Sequence, residues 1–356
     1  MAHRRGAFRG RVTRPTWRLE PVTRAALPRI ALLGAVLTGL VAVPYLVMVR
    51  MPGQSWQGRL PPLSARQSTL RDELRAGVLR LAGDIGERNV DRYEALTAAA
   101  AFLEAALVDA GYRVERQSYT AFGRACDNLV VERRGTSTPE EIVVVGAHYD
   151  SVEGSAGAND NATGAIAVLA LARHFAAVPV ARTVRFVEFV NEEPPSFQSS
   201  TMGSHVYAQR CRDRGERVVA MLSLETMGYF SDRVGSQTYP APALGIVYPR
   251  TGNFISLVGN VASAGLVREA LGSFRRHAQF PSEGGAFPSV VPGVGWSDHS
   301  SFWDFGYPAV MITDTAPFRY PHYHHATDTP DKIDYDALAR VVDGLMGVLA
   351  DIAARR

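Results

Sequence analysis

Residues 142–177, IVVVGAHYDSVEGSAGANDNATGAIAVLALARHFAA, pass from an apolar run through a glycine-rich turn into a helical pattern. The run VVVGA offers no polar residue to water, so the strand expected over 142–145 is buried on both faces, as in parallel or mixed sheets. Apolar residues then recur at helical spacing over 162–177. A doubly buried strand feeding a helix implies an α/β fold whose sheet is covered on both sides.

The same alternation extends outward. Strands are expected over 112–119, 128–132, 183–190 and 218–224, and helices over 70–81, 95–110 and 204–212. Past residue 231 the pattern gives a strand over 254–258, a helix over 262–274, a glycine and proline loop over 284–295 and a strand over 309–312. A closing amphipathic helix over 335–353 aligns Leu338, Val341, Val342, Leu345 and Leu349. There is no internal repeat, and residues 66–356 read as one domain.

The chain has 356 residues, 46% of them hydrophobic, enough for one large core. Its net charge of +3 conceals an asymmetry: residues 1–29 hold eight Arg and one Glu, leaving −4 for the rest. Such a balance gives no bulk basic surface for nucleic acid. Residues 30–49 are uncharged and flanked by Arg29 and Arg50. At about 1.5 Å per residue they reach about 30 Å, the thickness of a bilayer core. Read as a signal anchor, they leave the arginine-rich tail cytoplasmic and the remainder extracytoplasmic. A cleaved signal peptide has an apolar region of about 7–15 residues, shorter than this run; a buried core helix is the third reading. Residues 50–65 have a linker's composition. Cys126 and Cys211 could pair outside the cytoplasm or remain buried thiols.

Chemistry concentrates just beyond expected strand ends, where open α/β sheets place their ligands. His148 and Asp150 follow one strand, Glu192 and Glu193 follow another, and Asp160 lies in the turn before the helix. His322, His324 and His325 cluster near the carboxyl terminus. Singly, each has an ordinary structural explanation as a turn, a cap or a satisfied core histidine. Together, hard carboxylate oxygens and imidazoles without a nearby cysteine suit a hydrolytic zinc site. In that setting Asp150 can fix the tautomer of a metal-binding His148.

Four motifs then resemble one family in order: GAHYDSVEGSAGANDNATG (146–164), FVNEEPP (189–195), WSDHSSF (296–302) and HYHHATDTPDKID (322–334). The chain resembles the M28 co-catalytic zinc peptidases from about residue 84 onward. The resemblance implies a three-layer α/β/α zinc exopeptidase fold and two zinc ions, with His148 on one, His324 on the other and Asp160 bridging. It implies Glu193 on the second zinc, Glu192 as general base and Glu225, within LSLETMGYF, on the first. Many relatives have Asp at that position, so Glu225 departs from the pattern. Alignment on the following DTP selects His324 from the three histidines. The resemblance also implies that Asp298 and His299 touch the substrate or support the ligands from behind, a capped turn being the plain alternative. It places Tyr323 beside the substrate and a cis peptide after Asp160.

The function so implied is membrane-anchored removal of residues from peptide amino termini, with specificity set by residues 231–252. A single-zinc glutaminyl-peptide cyclotransferase is the nearest alternative, although such a site has no use for His148. A carboxypeptidase-like relative would need a cation such as Arg319, and a metal-free receptor ectodomain should have lost ligands. The Asn161 sequon is expected to be unglycosylated, since a glycan would sit on the metals.

Overall fold

The structure, a computed structural model, describes residues 26–354; the arginine-rich stretch 1–25 lies outside them. The chain divides into two units, the first ending at Leu46. Helix α1 (Leu27–Pro44) makes up most of the described part of the first, and it continues through a wider turn to Val49, giving 23 helical residues. It is long and apolar enough to cross a membrane.

The second unit opens with an extended segment over 51–64 and helix α2 (Ala65–Val78), whose amino terminus is closed by a Ser64 and Gln67 capping box. The remaining elements are α3 (Tyr93–Asp109), β1 (Glu115–Ala121), β2 (Arg124–Arg133), β3 (Thr138–His148), α4 (Thr163–Phe175), β4 (Arg182–Phe189), α5 (Gly203–Asp213) and β5 (Arg217–Glu225). They are followed by α6 (Leu244–Val247), β6 (Ile255–Asn260), α7 (Ala264–His277), β7 (Ser282–Phe287), α8 (His299–Asp304), β8 (Ala309–Thr313), α9 (Ala316–Arg319) and α10 (Tyr335–Ala354). The strands form one mixed sheet in the order β1-β2-β4-β3-β5-β8-β6-β7. Strands β4, β3, β5 and β8 run parallel, β6 is antiparallel to β8, and β7 is parallel to β6.

Both sheet faces are covered, as the VVVGA run requires. Val143 and Val145 pack on one side with α2, α4, α7 and α10; Ile142 and Val144 face α5 and α8 on the other. Gly164 permits a close helix-to-sheet approach, because a Cβ there would lie 2.4 Å from the Leu224 carbonyl. These contacts put the carboxyl ends of four parallel strands side by side.

Three expectations change. The 284–295 loop is in its first part the edge strand β7, which sequence reading missed because glycine has little strand propensity; here Gly284 lets Leu257 and Leu271 close in. The first strand begins at Glu115, after the 110–114 turn that follows α3. Residues 51–64 are laid against the body: Arg275 Nη1 donates to the Pro52 carbonyl at 2.9 Å, Ser282 N–H to Ser55 Oγ at 2.8 Å, and Arg340 to the Pro61 carbonyl. Cys126 and Cys211 are both buried free thiols.

Candidate metal centre

Each expected site residue emerges from the carboxyl edge of the sheet. His148 is the last residue of β3, Glu192 and Glu193 follow β4, and Glu225 ends β5. Asp160 lies in the turn entering α4, beside a cis peptide to Asn161. His324 comes from the loop after α9, with its backbone in the left-handed region at φ 59°. Asn191 and Thr226, neighbours of candidate ligands, share that conformation, at φ 60° and 45°. Residues other than glycine held this way cost about 1–3 kcal/mol each and cluster at functional sites.

Two triads of donor atoms meet there. His148 Nε2 lies 3.3 Å from Asp160 Oδ1 and 3.3 Å from Glu225 Oε2. His324 Nε2 lies 3.2 Å from Asp160 Oδ2 and 3.3 Å from Glu193 Oε2. Asp160 thus turns one oxygen to each histidine. Glu192 approaches His148 at 3.9 Å but belongs to neither triad.

The surroundings hold these groups in place. Asp150 lies 3.5 Å from His148 Nδ1 and accepts the backbone N–H groups of Glu192 and Glu193 at 3.1 Å each, linking the ends of β3 and β4. Asp328 accepts the N–H groups of Asn159 and Asp160 at 2.9 and 3.1 Å. Ser297 Oγ donates to Glu225 Oε2 at 2.7 Å. Tyr323 stacks on His324, ring centres 3.9 Å apart.

The electrostatics call for positive charge. Burial, together with the Glu193, Glu225 and Asp298 carboxylates, pushes Glu192 well above the usual carboxylate range against the pull of His148. Burial likewise raises Glu193 to about 7, helped by Asp160. Burial disfavours a charged His148, yet the carboxylates of Glu192, Glu225, Asp150 and Asp160 outweigh it and raise its proton affinity. Despite this crowding, neither nitrogen of His148 makes a hydrogen bond, nor does Glu193 Oε1, and all three atoms are buried. Buried polar atoms are rarely left so. An oxygen and nitrogen donor set without thiolate fits zinc, so the residues present suit the group the motifs imply.

An apolar chamber of about 820 Å³, its open mouth included, adjoins the centre at Glu225 and Tyr323. Its walls come from the 231–252 stretch (Tyr239, Leu244, Tyr248), from β7 (Gly285) and from the following loop (Val294, Trp296). Asp298 and His299 are fully buried: Asp298 lies behind the centre within the influence of His148 and Glu225, and His299 Nε2 meets the Val294 carbonyl at 2.7 Å. Arg319 is buried, donating from Nε to Gln237 Oε1 and from Nη1 to the Phe254 carbonyl, while its Nη2 makes no hydrogen bond among the described residues. His322 bonds Thr327, and His325 is exposed.

Sequence reading missed Arg88, a buried guanidinium beneath the 149–157 loop, and gave Asp328 no role. Arg88 carried no motif signal; Asp328 stood in a quoted motif, where its spacing served only to choose a histidine.

The profile of peptidase family M28 matches residues 128–349. The uncharacterized protein YfbL of Escherichia coli K12 is 33% identical over 304 residues, 83% of this chain and 92% of that protein. Leucine aminopeptidase 1 of Arthroderma otae is 26% identical over 227 residues, 60% of this chain and 55% of its own length. The chain therefore spans about half the length of that relative. Among solved structures, BSAP, a zinc aminopeptidase from Bacillus subtilis, superposes with a TM-score of 0.62 at 14% identity, covering 80% of this chain and 95% of the other. A Fimbriiglobus ruber glutaminyl cyclase gives 0.56 at 22% identity, covering 83% and 97%. Both likenesses concern the fold.

Proposed function

The chain belongs to peptidase family M28, and from that premise we propose that it is a zinc aminopeptidase that uses two metal ions, with Glu192 as general base. The observation that carries this reading is the split allegiance of Asp160, one oxygen toward His148 and the other toward His324. His148, Asp160 and Glu225 would hold one zinc; Asp160, Glu193 and His324 would hold the other. Such a pair would supply Lewis-acid charge that activates a water for attack.

The chain's own residues do the rest. Glu192 is buried, next to both triads and outside them, so its carboxylate is free to take a proton from the attacking water and pass it to the departing amine. Asp150 orients His148 from one side and the Glu192–Glu193 backbone from the other. The apolar chamber receives the side chain of the first residue and excludes water from it. An apolar wall offers little to the polar amide of an amino-terminal glutamine, which counts against a cyclotransferase. Arg319 is buried and does not line the chamber, which counts against its serving a substrate carboxylate.

The address follows the first unit. A helix spanning Leu27–Val49 as a signal anchor would place residues 50–356, including the peptidase domain, on the extracytoplasmic side, acting on peptide amino termini there.

Glu192→Gln tests the base. The variant should keep its zinc and its melting temperature while losing at least about 100-fold in kcat, the usual contribution of a positioned base. Activity within a few-fold of the parent removes Glu192 from that role. Chelation should abolish hydrolysis of aminoacyl chromogenic substrates and zinc should restore it; cyclisation of glutamine peptides as the sole activity would instead favour the cyclotransferase.

A further inference from the structure

Arg88 lies in the turn before α3, forty residues ahead of the stretch the family profile matches, and its side chain is fully buried. Every hydrogen bond of its guanidinium goes to a main-chain carbonyl: Nε to Tyr149, Nη1 to Gly86 and Ala156, and Nη2 to Gly157, over 2.5 to 3.0 Å. Its own backbone exchanges bonds with Ser151, donating to Oγ at 3.1 Å and accepting the N–H at 2.9 Å. The flanking residues grip the same loop: Glu87 Oε1 accepts Gly154 N–H at 3.0 Å and Asn89 Nδ2 donates to the Ser151 carbonyl at 3.2 Å.

That loop, 149–157, joins His148 and Asp150 to Asp160, so its span sets the distance between donors on the two sides of the centre. It is tightly folded: Gly157 is left-handed at φ 59°, and a Cβ there would sit 2.4 Å from the Asp160 carbonyl. A buried arginine usually has a carboxylate partner. Arg88 has none by hydrogen bond, yet the charges of Asp150, Asp328, Asp160 and Glu193 all favour its cationic form against burial. It gathers carbonyls in the place of direct ion pairs and adds fixed positive charge beneath a crowd of carboxylates.

We propose that Arg88 is a positioning residue of the metal centre, which fixes the His148-to-Asp160 spacing through the 149–157 carbonyls and offsets the carboxylate excess. The proposal rests on the zinc reading above. Its role is exerted on the apo site, before any substrate arrives, so metal affinity is the property it controls.

The test is zinc affinity of the full-length, detergent-solubilised chain by competition with a chromophoric chelator, for the parent, Arg88→Gln, Arg88→Lys and a core control, Leu271→Ala. Residues that orient metal ligands are typically worth about 10–100-fold in affinity. Arg88→Gln should weaken zinc by at least about tenfold and Arg88→Lys by less, while Leu271→Ala lowers apo melting temperature without changing affinity. Parent-like affinity in Arg88→Gln overturns the proposal, as does equal weakening in the control. Should Arg88→Gln not fold, Arg88→Lys decides: a loss of about threefold or more supports the role and parent-like affinity refutes it. A parent that binds no zinc would instead overturn the zinc reading itself.

Discussion

At the scale of single residues, Asp160 is the pivot. Because each of its oxygens faces a different histidine, Asp160→Asn should reduce bound zinc from about two ions per chain to nearly none, whereas His324→Gln should leave about one. Metal analysis after gel filtration measures both; two ions retained in Asp160→Asn would remove the bridge. The candidate ligands were legible because they lie in short motifs, three of them, His148, Glu193 and Glu225, at or just after strand ends. The groups that hold them were not, because Arg88 and Ser297 act through carbonyls and a hydroxyl at long sequence separation. Glu225 shows the limit from the other direction. Sequence raised the question of its extra methylene, and the folded chain brings Glu225 Oε2 to 3.3 Å from His148 Nε2.

Among elements, β7 contributes most that sequence did not foretell. Its glycines read as loop, and they pass as strand only because β6 pairs with them and neighbouring side chains occupy the space a Cβ would fill. At Gly285 that space belongs to Phe287 and Tyr248, both in the chamber wall, which a Cβ would meet at 2.3 and 2.9 Å. Gly285→Val should therefore narrow the chamber. For leucyl and phenylalanyl substrates kcat/KM should fall by about tenfold or more, within the range that small changes in pocket volume produce, while alanyl substrates change by less than about threefold. A uniform loss across the panel would mean that Gly285 matters for folding rather than selection. Strands β4, β5 and β8 were read to within one residue at each end, since an apolar run bounded by turns has few alternatives. By contrast β3, expected over 142–145, runs from Thr138 to His148, because its polar start gave no apolar signal; α10 was legible from its single apolar face. Local pattern weakens where partners are distant, and β6, β7 and the 231–252 stretch lie there.

For the molecule as a whole, the segment over 51–64 behaves as part of the folded body. A fragment beginning near residue 60 loses the bonds to Pro52, Gly53 and Ser55, each worth about 0.5–1.5 kcal/mol net. Compared with one beginning at residue 47, it should melt several degrees lower by calorimetry. Identical melting would show those bonds to be worth nothing in solution. The two rims of the sheet are also finished differently. At β1 the outermost strand carries Glu115 and Arg116, charges that discourage pairing with another chain. At β7 side chains do this work: Ser55 accepts the Ser282 N–H, Arg275 donates to the Ser282 carbonyl, and Tyr248 donates to that of Gly284 at 2.9 Å. Tyr248 therefore serves twice, as chamber wall and as guard of an open strand. Enlarging the chamber at Tyr248 to admit bulkier residues would bare that backbone to other chains, so selection for new specificity there is tied to selection against aggregation.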